Sequence, residues 1–140
     1  MTNSISKIVL FCGFIFCFFA SSAQESSKKS KYIQPIIESD SAFQAAILSQ
    51  DYVVVDFWAV WCRPCQLFLP EYEEIAKKLH KKAAFYKLNF DSCQAVAKEY
   101  DVKMIPVIII FKQGKEVKRY VGLTAKERIL FDLEEIMEEE

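Results

Sequence analysis

Cys62 and Cys65 enclose Arg63 and Pro64, and the four follow the apolar run Val53-Val54-Val55-Asp56-Phe57-Trp58-Ala59-Val60. Cysteines at this spacing on a first helical turn can close a small disulfide ring and reopen it. The first of them lies where unpaired helix N–H groups and the macrodipole favour a thiolate. Thiol–disulfide exchange is therefore the chemistry on offer. Two plainer uses compete with it, an inert disulfide and half of a metal site. Zinc takes about four ligands. Beyond this pair only Cys93 and His80 follow the N-terminal stretch as thiol or imidazole, without a second Cys-x-x-Cys. We expect no metal.

The elements that must hold such a pair are legible as alternating signals. Residues 32–37 form a short apolar stretch, read as an edge strand. Ser39 or Asp40 can cap a helix that buries Phe43, Ala46 and Ile47. The β-branched and aromatic run 52–58 suits a strand covered on both faces. From Pro64 onward the stripe Phe68, Tyr72, Ile75 and Leu79 marks a helix, with Pro70 expected to kink it. Residues 84–89 read as a strand, and about 93–100 as a short helix. Strands at 107–111 and 117–121 flank the hairpin pair Gln113-Gly114. Thr124-x-x-Glu127 reads as a capping box for a last helix burying Ile129, Leu130, Leu133, Ile136 and Met137. The order βαβαβαββα predicts an α/β fold, a central mixed sheet with helices on both faces.

The chain of 140 residues, 52% hydrophobic, suits one domain. Its net charge of −1 gives nucleic acid no electrostatic footprint. Lys7, the apolar stretch 8–20 and Ser21-Ser22-Ala23 have the layout of a secretory signal peptide over 1–23. That stretch is short of the roughly 20 residues a bilayer span needs, so membrane contact is expected only through the leader or an uncleaved anchor. A polar lead-in, 24–31, then precedes the domain at 32–140. Cys12 and Cys17 would leave with the leader. The remaining Cys62, Cys65 and Cys93 make an odd set, which suits a reactive pair plus a buried thiol better than a disulfide scaffold.

From about residue 36 to 137 the chain resembles the thioredoxin family. The resemblance rests on Val55-Asp56-Phe57-Trp58-Ala59, Trp61-Cys62-Arg63-Pro64-Cys65, Pro70, Lys87-Leu88-Asn89, Ile105-Pro106, Phe111-Lys112-Gln113-Gly114 and Gly122, in order. It implies a thioredoxin fold and a redox-active disulfide between Cys62 and Cys65. Cys62 would attack and Cys65 resolve the mixed disulfide. Asp56 would be the buried carboxylate that takes the Cys65 proton through water, with Lys87 its partner lysine. A carboxyl in an apolar strand should have a raised pKa, as a base near neutrality needs. Pro106 would be a cis-proline facing the cysteines, with Ile105 offering backbone groups to an extended substrate. Trp61, Met104 and Gly122 would rim the groove.

Two positions depart from the family pattern. Arg63 stands where glycine is usual, and with Pro64 it is expected to tune the Cys62 thiolate, toward a more oxidising disulfide. Val107 follows Pro106 where threonine is usual. The implied activity is a protein thiol–disulfide oxidoreductase without cofactor. It would be exported to the periplasm or secreted as a monomer, and would act on protein disulfides or thiols with a membrane or soluble redox partner. The short interval from Cys65 to Pro106 lacks the helical insertion of disulfide-donating oxidases and favours a reductase. Arg63 and an oxidising compartment favour a donor. A binding module without turnover is the rival from another class. His80 reads as a solvated helix end, and the closing acids 134–140 as a fraying helix terminus.

Overall fold

The structure, a computed structural model, describes residues 30–139. The expected leader and most of the polar lead-in lie outside the described residues. Four helices and four strands follow in the order α1 (Asp40–Ile47), β1 (Tyr52–Trp58), α2 (Arg63–Leu79), β2 (Ala84–Asn89), α3 (Gln94–Glu99), β3 (Val107–Lys112), β4 (Lys115–Val121) and α4 (Lys126–Glu138). The sheet order is β2-β1-β3-β4. β1 and β2 run parallel, while β3 is antiparallel to both β1 and β4, so the sheet is mixed.

Alternation along β1 divides the core. Val53, Val55 and Phe57 face α1 and α3, where Phe43, Val96 and Phe111 complete an apolar layer. Tyr52 and Val54 face α2 and α4 and meet Phe68, Tyr72, Ile75, Ile129 and Leu133. Asp56 shares the period of Val54 and so points to the α2 face. Phe43 packs edge-on against Phe111 and Tyr100. Truncating an aromatic so enclosed costs about 3–5 kcal/mol.

Local chemistry explains the ends of the elements. The Ser39 hydroxyl accepts from the Ala42 N–H and caps α1. Gln113 and Gly114 both have positive φ, 51° and 77°, the backbone a two-residue hairpin loop requires. α2 runs through Pro70, whose ring denies the Gln66 carbonyl its helical bond.

Three expectations are corrected. Residues 32–37 are no strand: a single bridge joins Ile37 to Leu88. Ile33 packs on the α2 face and Ile37 on the other, with Pro35 between them lacking an N–H, so the segment wraps the β2 edge. The capping box does not form. Ala125 occupies the N-cap without a side-chain bond, and Lys126 at the first helical position is tied to Glu74 of α2. The closing acids do not fray α4 early. It continues to Glu138, with Glu134 paired to Lys78 of α2 at 2.9 Å.

Candidate active site

β1, an inner strand, delivers the chain to one end of the sheet, and the turn after it starts α2 at the cysteines. The Cys62 N–H donates to the Ala59 carbonyl (3.1 Å), and the Gln66 side-chain amide donates back to the Val60 carbonyl (2.6 Å). This fixes the turn against the helix it feeds. Cys62 is the N-cap of α2, Arg63 and Pro64 open the helix, and Cys65 follows in the first turn. Pro64 has no N–H to offer, and the Cys65 N–H donates to Cys62 Sγ at 3.2 Å. Cys62 and Cys65 are joined as a disulfide, their Cα atoms 5.3 Å apart. Cys62 is only 3% exposed. Arg63 projects into solvent.

The surroundings of the disulfide come from three loops. The peptide between Ile105 and Pro106 is cis. Ile105 packs with Ala59, Cys62 and Cys65, beside Trp58 and Phe90. The Pro106 carbonyl accepts the Gly122 N–H at 2.8 Å, which ties the β4 end to the β3 start. Trp61 and Met104 are each 63% exposed. The Trp61 indole N–H is held by the Asp91 carboxylate at 2.9 Å. Exposed Val60, Leu67 and Leu123 carry further apolar surface on the turn, on α2 and just past Gly122.

Asp56 is fully buried, and neither of its oxygens has a protein hydrogen-bond partner among the described residues. Burial pushes its carboxyl up to about 7 from 3.8, against the pull of the Lys87 ammonium. Asp56 and Lys87 are register partners on adjacent strands. Yet Lys87 Nζ lies 4.0 Å from the centre of the Trp58 ring and makes no bond to the carboxylate. Burial lowers the Lys87 pKa, while Asp56 and Glu73 work to raise it. The Tyr72 hydroxyl, shared between the Val54 (3.0 Å) and Tyr86 (2.7 Å) carbonyls, pins α2 over β1 and β2.

The structure thus brings Cys62, Cys65, Arg63, Pro64, Trp61, Ile105, Pro106 and Gly122 to one end of the sheet, with Asp56 and Lys87 on its α2 face. Cys93 stands apart, fully buried against the α1 side. His80 is accounted for by the Lys77 carbonyl at Nδ1 (2.9 Å) and the Tyr32 ring. Sequence reasoning assigns no role to Asp91, Glu73 or the Trp58 ring. Asp91 carries no local signal. Trp58 reads as core from its strand, and Glu73 sits within the acid-rich run Glu71-Tyr72-Glu73-Glu74.

A disulfide closed across two residues at a helix N-terminus, packed against a cis-proline loop, is the site of a thiol–disulfide oxidoreductase. The chain belongs to the thioredoxin family, whose Thioredoxin profile matches residues 34–135. It is 39% identical over 92 residues to a thioredoxin of Rickettsia prowazekii, covering 65% of this chain and 88% of that one. It is also 32% identical over 120 residues to the chloroplastic M-type thioredoxin of Spinacia oleracea, 85% of this chain but 65% of that protein. A bifunctional thioredoxin reductase/thioredoxin of Mycobacterium leprae matches at 40% identity, the chain spanning 22% of its length. Among solved structures, a mutant thioredoxin from Halobacterium salinarum superposes with a TM-score of 0.70 at 29% identity, over 79% of this chain and 96% of that one.

Proposed function

We propose that the protein is an exported thioredoxin that reduces disulfides in protein substrates. The Cys62 thiolate attacks a substrate disulfide, releasing one substrate thiolate and leaving a mixed disulfide. Cys65, losing its proton toward Asp56, then attacks Cys62 Sγ and releases the second substrate thiolate. Two electrons pass to the substrate, and the Cys62–Cys65 disulfide remains for a dithiol donor to reduce. The apolar rim of Trp61, Met104 and Ile105, with Gly122, would seat an extended substrate segment at Cys62.

One observation carries this reading: Cys62 Sγ caps α2 through the Cys65 N–H, on the sheet face that holds the unpartnered Asp56. Support for the reducing direction comes from how little else stabilises the thiolate. Arg63 is exposed, so solvent and salt screen it. Between α2 and β3 lie only β2 and the six-residue α3, with no helical insertion. The opposite direction, disulfide donation, draws on Arg63 and on the oxidising compartment that export implies.

Trapping tests the reading. A Cys65→Ser variant, produced with its own leader, should accumulate mixed disulfides with exported proteins through Cys62, from a chain beginning at Gln24. Failure to trap any substrate, or a chain retained in the cytoplasm with its leader intact, would sink the proposal.

A further inference from the structure

A cavity of about 460 Å³ opens between the edge segment 30–38 and α2. Trp58 and Lys87 bound it from the sheet, Glu73 from α2, and Ile33 and Glu38 from the edge segment. Lys87 is 7% exposed, and its one direct partner among the described residues is the Trp58 ring. A cation over an aromatic face is held electrostatically, more strongly where water is scarce. On the other side, both Asp56 oxygens stay without a protein donor although Lys87 is the neighbouring register position. The ammonium is therefore parked away from the carboxylate it could bond. Glu73, half-buried on α2, lines the same cavity and is, with Asp56, one of the two acids that act to raise the Lys87 pKa.

We propose that Glu73 is a positioning residue for Asp56, holding the Lys87 ammonium on the cavity side, over the Trp58 ring and off the Asp56 carboxylate. The consequence is chemical. A Lys87 that swung onto Asp56 would give it a charge-assisted hydrogen bond and hold it ionised, unable to accept a proton near neutrality. Few other groups face this pair. Glu38 lines the cavity from the edge segment, the Tyr72 hydroxyl of α2 is committed to two carbonyls, and the Cys62–Cys65 disulfide does not titrate. Burial and the two acids pull the Lys87 pKa in opposite directions, consistent with an ammonium shared between them. This inference deepens the proposed reductase reading, which makes Asp56 the base for Cys65.

The test reads Asp56 itself. Its side-chain carboxyl would be titrated by carbon NMR in the oxidised full chain, as wild type, Glu73→Gln, Lys87→Met and the double variant. Releasing Lys87 should lower the Asp56 midpoint by about half a unit or more in Glu73→Gln, and the same substitution should have no effect once Lys87 is Met. A shift of equal size in both backgrounds would mean that Glu73 acts directly, and would overturn the proposal. So would an unmoved or raised midpoint in Glu73→Gln. Lys87→Gln replaces Lys87→Met if the latter does not fold. Failure of the reductase reading would appear separately, as an Asp56 that titrates as described while the rate of disulfide reduction ignores its pH.

Discussion

Two carboxylates lie buried on the α2–α4 side of the sheet, Asp56 on β1 and Asp132 on α4 against β4, and their surroundings differ in kind. Asp132, on α4, accepts the Tyr120 hydroxyl at 2.7 Å, the Arg128 guanidinium at 3.0 Å and pairs with Lys118 at 3.2 Å. Burial opposes its charge, but these three partners outweigh it and hold its carboxyl below the ordinary value. Asp56 has no such partner, and burial sends it the other way, to about 7. A fold can hide an acid cheaply by satisfying it. Leaving Asp56 unsatisfied costs stability and gives its carboxyl a pKa at which it can exchange a proton near neutrality. The opposite face of the sheet makes the same point by contrast, since its buried layer is apolar apart from the Cys93 thiol.

The largest effect expected concerns the Cys62–Cys65 pair. Cys62→Ser should lower turnover of a protein disulfide by at least about 10³-fold, measured as steady-state reduction with a dithiol donor, while a pure binding module would keep its function.

Next comes the sharpest form of the comparison. Asp56 titrates near 7 when folded and near 3.8 by nature, so the folded state holds its proton more tightly. The stability this contributes is fully present below the unfolded value and is lost as pH rises through about 7. Asp56→Asn should remove that loss and make the protein more stable at pH 8, by up to about 4 kcal/mol. It should also slow reduction. Urea unfolding at pH 5 and 8 checks it, and an Asp56→Asn protein no more stable at pH 8 would break the contrast.

Asp132 should behave oppositely. Its carboxylate contributes stability above the unfolded value that disappears as pH falls through the lowered folded one. Asp132→Ala should cost about 2 kcal/mol by leaving the Tyr120 hydroxyl without its acceptor and removing two ion pairs, read in the same unfolding curves, and should leave turnover unchanged.

The smallest effect expected is at Arg63. Arg63→Gly removes an exposed, screened charge, and should make the disulfide more reducing by less than about 30 mV. A larger change at physiological salt would mean that Arg63, rather than the helix end, sets the thiolate.

Much of this architecture is legible in the amino-acid sequence, for reasons that can be located. The 52–58 run identifies a strand enclosed on both faces because its β-branched and aromatic side chains leave no polar side to expose. Within it, Asp56 stands out as a carboxyl on an inward-facing period. The cysteine spacing suits a helix start because residues three apart share one face of the first turn, and Pro64 is favoured there. What is not legible there depends on neighbours distant along the chain. Residues 32–37 are apolar enough for a strand, but Ile33 and Ile37 go to opposite sides of the β2 edge. Thr124 and Glu127 match a capping box, yet the helix begins where Lys126 meets Glu74. Trp58 and Glu73 matter through Lys87, whose resting place only the packing of α2 on β2 reveals.

The central claim is that the Cys62–Cys65 pair, capped by one backbone N–H and little else, works as a reductant. The reduction potential of the chain from Gln24 onward, equilibrated with glutathione, tests it most directly. A reductant should give a value near the thioredoxin end, about −270 mV. A value near about −120 mV, where the reduced form is strongly stabilised, would contradict it and make the protein a disulfide donor.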